Sequence, residues 1–132
     1  MLVSSLSLVM KFEPYLPQGC PPTAATFGPK AAFRLVPTLP PSAPGFRTPH
    51  EERRHAVGDP CRRCALSLFE DMQDALHVKE QVPYFKDHHI VRGTVPNDGG
   101  LLLHTPSKRA PSHWSWWPAT GTVRHSYFAD SS

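Results

Sequence analysis

The apolar positions of this chain follow a helical spacing in one segment after residue 59. Between about residues 60 and 80, apolar side chains recur at intervals of three and four, which is typical of one face of an amphipathic helix. The stripe consists of Ala65, Leu68, Phe69, Met72, Ala75 and Leu76. Asp59 is a good N-cap, Pro60 suits the first helical position, and Pro83 ends the pattern. The sequence therefore predicts one helix over about 60–80.

Later segments have the composition of β-strands. His89–Val95 and Leu101–Thr105 flank Pro96–Gly100, whose Asp98-Gly99 step is a turn signal. This arrangement predicts a β-hairpin over about 89–105, and Gly121–Phe128 is a candidate third strand. A helix packed on two or three strands predicts a small, marginally stable α+β unit over 60–128, with a tail at 129–132.

The first half of the chain lacks both kinds of periodicity. Eleven of the 16 prolines precede residue 61. Each proline restricts φ, removes a backbone donor and disfavours helical geometry at the residue before it. Such a segment is expected to contain neither a helix nor an inner strand. We therefore predict that residues 1–59 form a proline-rich, extended and disordered arm.

One stretch of this arm matches a known type of binding motif. Arg34, Val36, Pro37, Leu39 and Pro40 fit the basic-x-φ-Pro-x-φ-Pro pattern of a class I SH3 ligand. In a polyproline II helix, which repeats every three residues, the two φ-Pro pairs would fill successive aromatic-lined grooves, and the arginine would reach an acidic pocket. The leading functional hypothesis is a non-enzymatic interaction or adaptor protein that presents this motif to a protein partner.

Three tryptophans lie close together near the C-terminus. Trp114, Trp116 and Trp117, beside Pro111 and Pro118, are not expected to form a regular element. They are predicted either to cover the small core or to form an exposed patch that binds a partner. Scattered aromatic residues and prolines also suit a second hypothesis, a structural protein laid along a large assembly such as a cytoskeletal filament.

Composition leaves a third hypothesis open and argues against nucleic-acid binding. The chain has one Ile, one Asn and five Lys, against 16 Pro, 11 Ala and 9 Arg, a usage that a GC-rich reading frame produces without selection for function. A weakly selected open reading frame is therefore an alternative. The formal net charge of +3 is too small to indicate a nucleic-acid partner. Nothing in the sequence indicates an oligomeric state.

Cysteine usage suggests the remaining alternative, a small zinc or redox unit. Cys61 and Cys64 form a CxxC pair at the start of the predicted helix, where the helix dipole and two arginines would favour thiolate. His77 has the spacing of a third zinc-finger ligand, but a continuous helix would hold it far from Cys64. The chain lacks the GxSxG, HExxH and phosphate-loop motifs. We therefore expect no enzymatic activity and no cofactor, with zinc at Cys61 and Cys64 as the alternative.

The compartment is predicted from the N-terminus and the cysteine count. Residues 1–10 are apolar but lack a positively charged start and a good cleavage site, so secretion is not expected. This apolar run is also too short to span a bilayer. Cys20, Cys61 and Cys64 are an odd number and too few for a disulfide framework. A reducing, cytoplasmic location is the prediction.

Overall fold

A computed structural model describes residues 10–54 and 58–131, which form a compact domain built on an antiparallel sheet. The segment considered for a signal peptide lies almost entirely outside the described residues. The seven strands are β1 (Thr26–Phe27), β2 (Lys30–Val36), β3 (Leu66–Phe69), β4 (His89–Val95), β5 (Gly100–His104), β6 (His113–Pro118) and β7 (Phe128–Asp130). Their order across the sheet is β1-β5-β6-β3-β2-β4-β7.

Two α-helices lie between β2 and β4 in the described part of the chain. Helix α1 spans Pro60–Arg63 and helix α2 spans Met72–Gln81. Short 3₁₀ turns occupy Ala43–Phe46, Pro83–Phe85 and Arg124–Tyr127. Within these residues, no helix is both long enough and apolar enough to cross a membrane.

The prediction of a disordered proline-rich arm is wrong for the described residues. Strand β2 lies inside the sheet, between β3 and β4, and pairs with β4 along its whole length from Lys30 to Val36. Pro29 and Pro37 border this strand on either side. The seven residues between them keep every backbone N–H, so the prolines delimit the strand without breaking its ladder. The sheet thus crosses the predicted boundary after residue 59.

The single helix predicted over 60–80 is also wrong. Helix α1 starts as expected, with Pro60 in the first turn and the Asp59 carboxylate accepting from the Cys61 N–H at 2.9 Å. It ends at Arg63, and part of the predicted stripe becomes strand β3. A second cap then starts α2, where the Asp71 side chain accepts from the Gln73 N–H at 2.9 Å. The apolar spacings of three and four residues that predicted one helix therefore span separate elements, strand β3 and helix α2 among them.

The predicted β-hairpin has nearly the right strands but the wrong pairing. Strand β4 covers His89–Val95 as expected, and β5 begins one residue before the predicted strand. The two do not pair with each other, because β4 pairs with β2 and β7 whereas β5 pairs with β1 and β6. The third strand, predicted at Gly121–Phe128, begins later than expected. Most of residues 121–128 form a turn, and β7 includes two residues of the predicted tail, Ala129 and Asp130.

The sheet is strongly curved, and its concave face holds the main core. In a flat sheet, two strands with three others between them lie about 19 Å apart. Trp116 of β6 and Phe128 of β7 have three strands between them, yet their ring centroids are 6.1 Å apart. The buried residues of this core are Ala32, Val36, Phe46, Leu66, Leu68, Val91, Val95, Leu102, Trp116 and Phe128.

Two smaller apolar clusters complete the packing. Ala75 and Val78 of α2 pack with Leu35 and Phe69 of the sheet, so the helix covers part of the sheet face away from the main core. A third cluster joins Trp117 to Cys64 and Ala65, and side chains from the N-terminal segment pack against it. Residues 12–25 therefore contribute to the core.

A partly buried ion pair ties three distant segments together. The Glu51 carboxylate accepts two hydrogen bonds from Arg124, at 2.7 and 3.0 Å, and one from the Tyr15 hydroxyl at 2.6 Å. The Thr48 N–H donates to the same carboxylate at 2.8 Å. Burial raises the pKa of Glu51, but these hydrogen bonds outweigh burial and lower it to about 2.

Candidate functional site

A cavity of about 370 Å³ lies where strands β2 and β3 come together. Within the described residues, these strands are in register at one pair, Phe33 with Phe69. Other segments also line the space: helix α2 and the turn after it, the stretch after β2, and residues 107–110 with His113 at the start of β6. We call this space the Arg34 cavity, after the arginine that lines it. Its volume is in the range of small-molecule sites.

Six apolar side chains contribute to the lining of the Arg34 cavity, and we call them together its apolar side. They are Leu35 of β2, Leu66 and Phe69 of β3, Val78 of α2, and Val82 and Phe85 just after that helix. Leu35, Leu66, Phe69 and Val78 are buried. Such a surface favours a ligand with an apolar body, because binding removes apolar area from water on both partners.

Arg34 supplies the charge at the junction of β2 and β3. Its Nη1 donates to the Ser67 carbonyl of β3 at 3.0 Å, and its Nε and Nη2 donate to the Gly45 carbonyl at 3.2 and 2.9 Å. The guanidinium also lies 5.0 Å from the ring centre of Phe46. Burial lowers the pKa of Arg34 to about 10, so the side chain remains a cation at neutral pH.

Arg34 donates hydrogen bonds to neutral carbonyls. No carboxylate of residues 10–54 or 58–131 forms an ion pair with it. Glu52 also lines the cavity, but it pairs with Arg54 at 2.9 Å. The exposed side chains of Arg47 and Arg109 add positive charge at the rim. The described residues thus place four arginines and one carboxylate around the space, which favours an anionic occupant.

Two histidines of the cavity are held in the neutral form at pH 7. Burial lowers the pKa of His88, and the charge of Arg34 lowers it further. Burial also lowers the pKa of His113. The His113 ring lies within hydrogen-bond distance of the Thr105 and Ser67 hydroxyls, at 2.8 and 2.9 Å, so it links β6 to its neighbours.

The residues of the SH3-ligand motif divide between the sheet and the surface. Arg34 and Val36 belong to β2, where Val36 is fully buried and Arg34 bonds to Gly45 and Ser67. Pro37, Leu39 and Pro40 follow the strand and are exposed. An SH3 domain that bound the full motif would therefore have to displace β2 from the sheet. The SH3-ligand hypothesis remains a prediction, and it requires the loss of the β2 pairings in the sheet.

The tryptophans form a regular strand, contrary to expectation, and two of them lie in the core. All three belong to β6, where Trp116 and Trp117 are fully buried and Trp114 is partly buried. The indole N–H of Trp116 donates to the Gly99 carbonyl, and that of Trp117 donates to the Cys61 carbonyl. Proline does not break the strand, because Pro118 stands at its last position.

The cysteines do not form a CxxC pair of thiols. Cys61 is disulfide-bonded to Cys20, and Cys64 is a buried free thiol. Burial raises the pKa of Cys64, so the predicted thiolate-favouring environment is wrong for this residue. In residues 10–54 and 58–131, no group of three or more His, Cys, Asp or Glu side chains is placed to hold a metal ion. The expectation of reduced cysteines is wrong for Cys20 and Cys61, while the cytoplasmic location stays a prediction.

Arg34 was predicted as part of the SH3-ligand motif, and the other residues of the cavity were not predicted from the sequence. The apolar side chains come from segments up to 50 residues apart, which no local periodicity brings together. The available signal was Arg34 itself, a charged residue in the middle of the apolar run Ala31–Val36.

Comparisons of the chain with models of protein families, with curated protein sequences and with solved structures found no match.

Proposed function

We propose that this protein is a non-enzymatic small-molecule-binding domain and that the Arg34 cavity is its binding site. The observation that carries this proposal is the combination of a half-enclosed cavity of about 370 Å³ with a buried apolar side and an arginine bonded to neutral carbonyls. Small-molecule sites commonly combine an apolar lining with a few placed polar groups. The filament-protein and unselected-frame hypotheses stay alternatives.

The cavity lies beside the junction of β2 and β3, which are in register at one pair within the described residues and are also bridged by a side chain. Arg34 connects β2 to the Ser67 carbonyl of β3, whereas β2 joins β4 through a continuous backbone ladder. A bound molecule would contact both strands, helix α2 and the 107–113 segment at once. Binding at this point should therefore stabilise the folded domain, because the ligand binds the folded state and not the unfolded chain.

A fragment screen by nuclear magnetic resonance tests the proposed site. Neutral and charged aromatic fragments are added to the isotope-labelled domain, and we expect the hits to shift the backbone amides of Leu35, Phe69 and Val78. A Val82→Trp variant would fill the cavity from the end of α2 and should weaken binding about tenfold or more. Val123→Trp is the matched control, because Val123 is 57% exposed and does not line the cavity.

Two results would contradict the proposal. One is a screen in which no fragment shifts the cavity amides. The other is a set of hits that bind Val82→Trp as tightly as the original chain while circular dichroism shows both variants folded.

A further inference from the structure

The charge arrangement in the Arg34 cavity specifies the class of ligand. This inference rests on the proposed function. We propose that the cavity selects small monocarboxylates with a flat apolar body, and that the guanidinium of Arg34 binds the carboxylate.

The hydrogen bonds of Arg34 leave donors for a further acceptor. A guanidinium has five N–H groups. One on Nε and one on Nη2 point to the Gly45 carbonyl, and one on Nη1 points to the Ser67 carbonyl. One N–H therefore remains on each terminal nitrogen. A free donor on each terminal nitrogen suits an oxyanion such as a carboxylate, because both N–H groups carry the positive charge of the guanidinium.

No carboxylate of the described residues forms an ion pair with Arg34, and the charge of Glu52 acts on it only at longer range. A partly buried cation without a paired anion costs free energy, and an anionic ligand beside it would reduce this cost. Glu52, the carboxylate that lines the cavity, is exposed and engaged with Arg54. Arg47 and Arg109 stand at the rim, where they would attract an anion toward the cavity.

The apolar side restricts the rest of the ligand. Leu35, Phe69 and Val78 are buried and present carbon atoms to the space, so the body of the ligand must itself be apolar. A volume of about 370 Å³ is near the lower end for ligand sites, which suits one or two fused rings and not a long acyl chain. A phosphate monoester is disfavoured, since its extra charge and third oxygen would face this apolar side.

A matched pair of probes separates the ligand class from the proposed function. 2-Naphthoate and 2-naphthamide have nearly the same shape, but only the first carries a negative charge. Titration at neutral pH and low salt, followed by magnetic resonance, should show 2-naphthoate binding about tenfold to a hundredfold more tightly. 2-Naphthyl phosphate is the third probe, and we expect it to bind more weakly than the carboxylate.

The role of Arg34 is tested with paired substitutions. Arg34→Met keeps much of the side-chain length and removes the charge, so the preference for 2-naphthoate should fall to about twofold or less. Arg92→Met is the matched control, because Arg92 is an exposed arginine of β4 outside the cavity, and the preference should be unchanged. If Arg34→Met does not fold, the side-chain N–H signals of Arg34 in the original chain give the same information, since they should shift with the carboxylate and not with the amide.

Each remaining outcome would overturn the inference in an identifiable way. Equal binding of carboxylate and amide at the cavity amides would leave the proposed function standing and remove the monocarboxylate assignment. Tighter binding of the phosphate would assign a different anion. A carboxylate preference that survives Arg34→Met would place the anion elsewhere. If no naphthalene probe binds, the monocarboxylate proposal fails, and the fragment screen alone then decides the proposed function.

Discussion

Glu51 and Arg34 are both partly buried charged residues, but only Glu51 forms an ion pair among the described residues. Glu51 accepts hydrogen bonds from Arg124, Tyr15 and Thr48, so the charge of its ionised carboxylate is balanced by Arg124 within the fold. Arg34 has hydrogen-bond acceptors but, among the described residues, no carboxylate partner. A charge held in a hydrogen-bonded ion pair suits a structural role, whereas a cation without an ion pair beside a cavity suits the binding of an anion.

Removing the charge of Glu51 is expected to destabilise the domain. We predict that Glu51→Gln lowers the free energy of unfolding at neutral pH by about 2 kcal/mol, because Arg124 and Tyr15 lose a charged acceptor in a partly buried site. Urea denaturation measures the change. The control is Glu70→Gln, which breaks the more exposed pair with Lys30 and should change the free energy by less than about 1 kcal/mol. Equal effects of the two substitutions would contradict the structural role of Glu51.

The original chain and the Glu51→Gln variant should differ in how their free energy of unfolding depends on pH. The pKa of Glu51 falls from 4.5 to about 2 on folding, so its ionised form stabilises the native state fully above pH 4.5. This stabilisation should be lost as the pH decreases from about 4.5 to 2. The stability difference between the original chain and Glu51→Gln should therefore shrink over that interval in urea titrations. A difference that stays constant from pH 5 to pH 2 would show that the carboxylate is not stabilised by the fold.

At the scale of the element, proline and aspartate mark where each segment begins and ends. Pro29 and Pro37 border β2, and Pro83 follows α2 within two residues. Asp59 and Asp71 cap the two helices by accepting from the N–H of each helix's second residue, Cys61 and Gln73. The first cap was predicted from the sequence and the second was not, so α1, β3 and α2 were predicted as one helix.

Substitution of Asp71 distinguishes the observed pair of helices, α1 and α2, from the single helix predicted over residues 60–80. We predict that Asp71→Ala lowers the free energy of unfolding by about 1 kcal/mol, because α2 loses its N-cap. In one continuous helix the same change would raise stability slightly, since alanine is the better interior helix residue. Thermal denaturation gives the sign directly. Asp59→Ala, which removes the cap of α1, should destabilise in either case and serves as the control.

At the scale of the whole molecule, the N-terminal half is held in place by the C-terminal half. Strand β2 lies between β3 and β4, the disulfide joins Cys20 to Cys61, and Arg124 reaches Glu51. None of these contacts is local, and each connects residues from both sides of the predicted boundary at residue 59. The domain therefore depends on the segment that its composition marked as disordered.

Reduction of the disulfide should weaken the fold measurably. The bond closes a loop with a sequence separation of 41 residues, which corresponds to about 4 kcal/mol in the chain-entropy description. We predict a loss of this order in guanidinium denaturation after reduction. A Cys64→Ala variant keeps the bond, so it is the control and should lose as much on reduction.

A thiol assay provides the complementary test of the disulfide. The oxidised chain should show one thiol, that of Cys64, and this thiol should react only after unfolding because it is buried. Three reactive thiols in the purified protein, or equal stability with and without reductant, would contradict the role assigned to the bond.

By itself, the sequence determined the features that depend on neighbouring residues. The cap at Asp59, the strand at His89–Val95 and most of β5 were predictable, because capping and alternation are local patterns. Only the tertiary structure decided the strand order, the pairing of β4 with β2, the disulfide and the assembly of the Arg34 cavity. These features join residues far apart in the chain, and many pairings satisfy the same local pattern. The choice among them depends on how the whole set of apolar side chains packs.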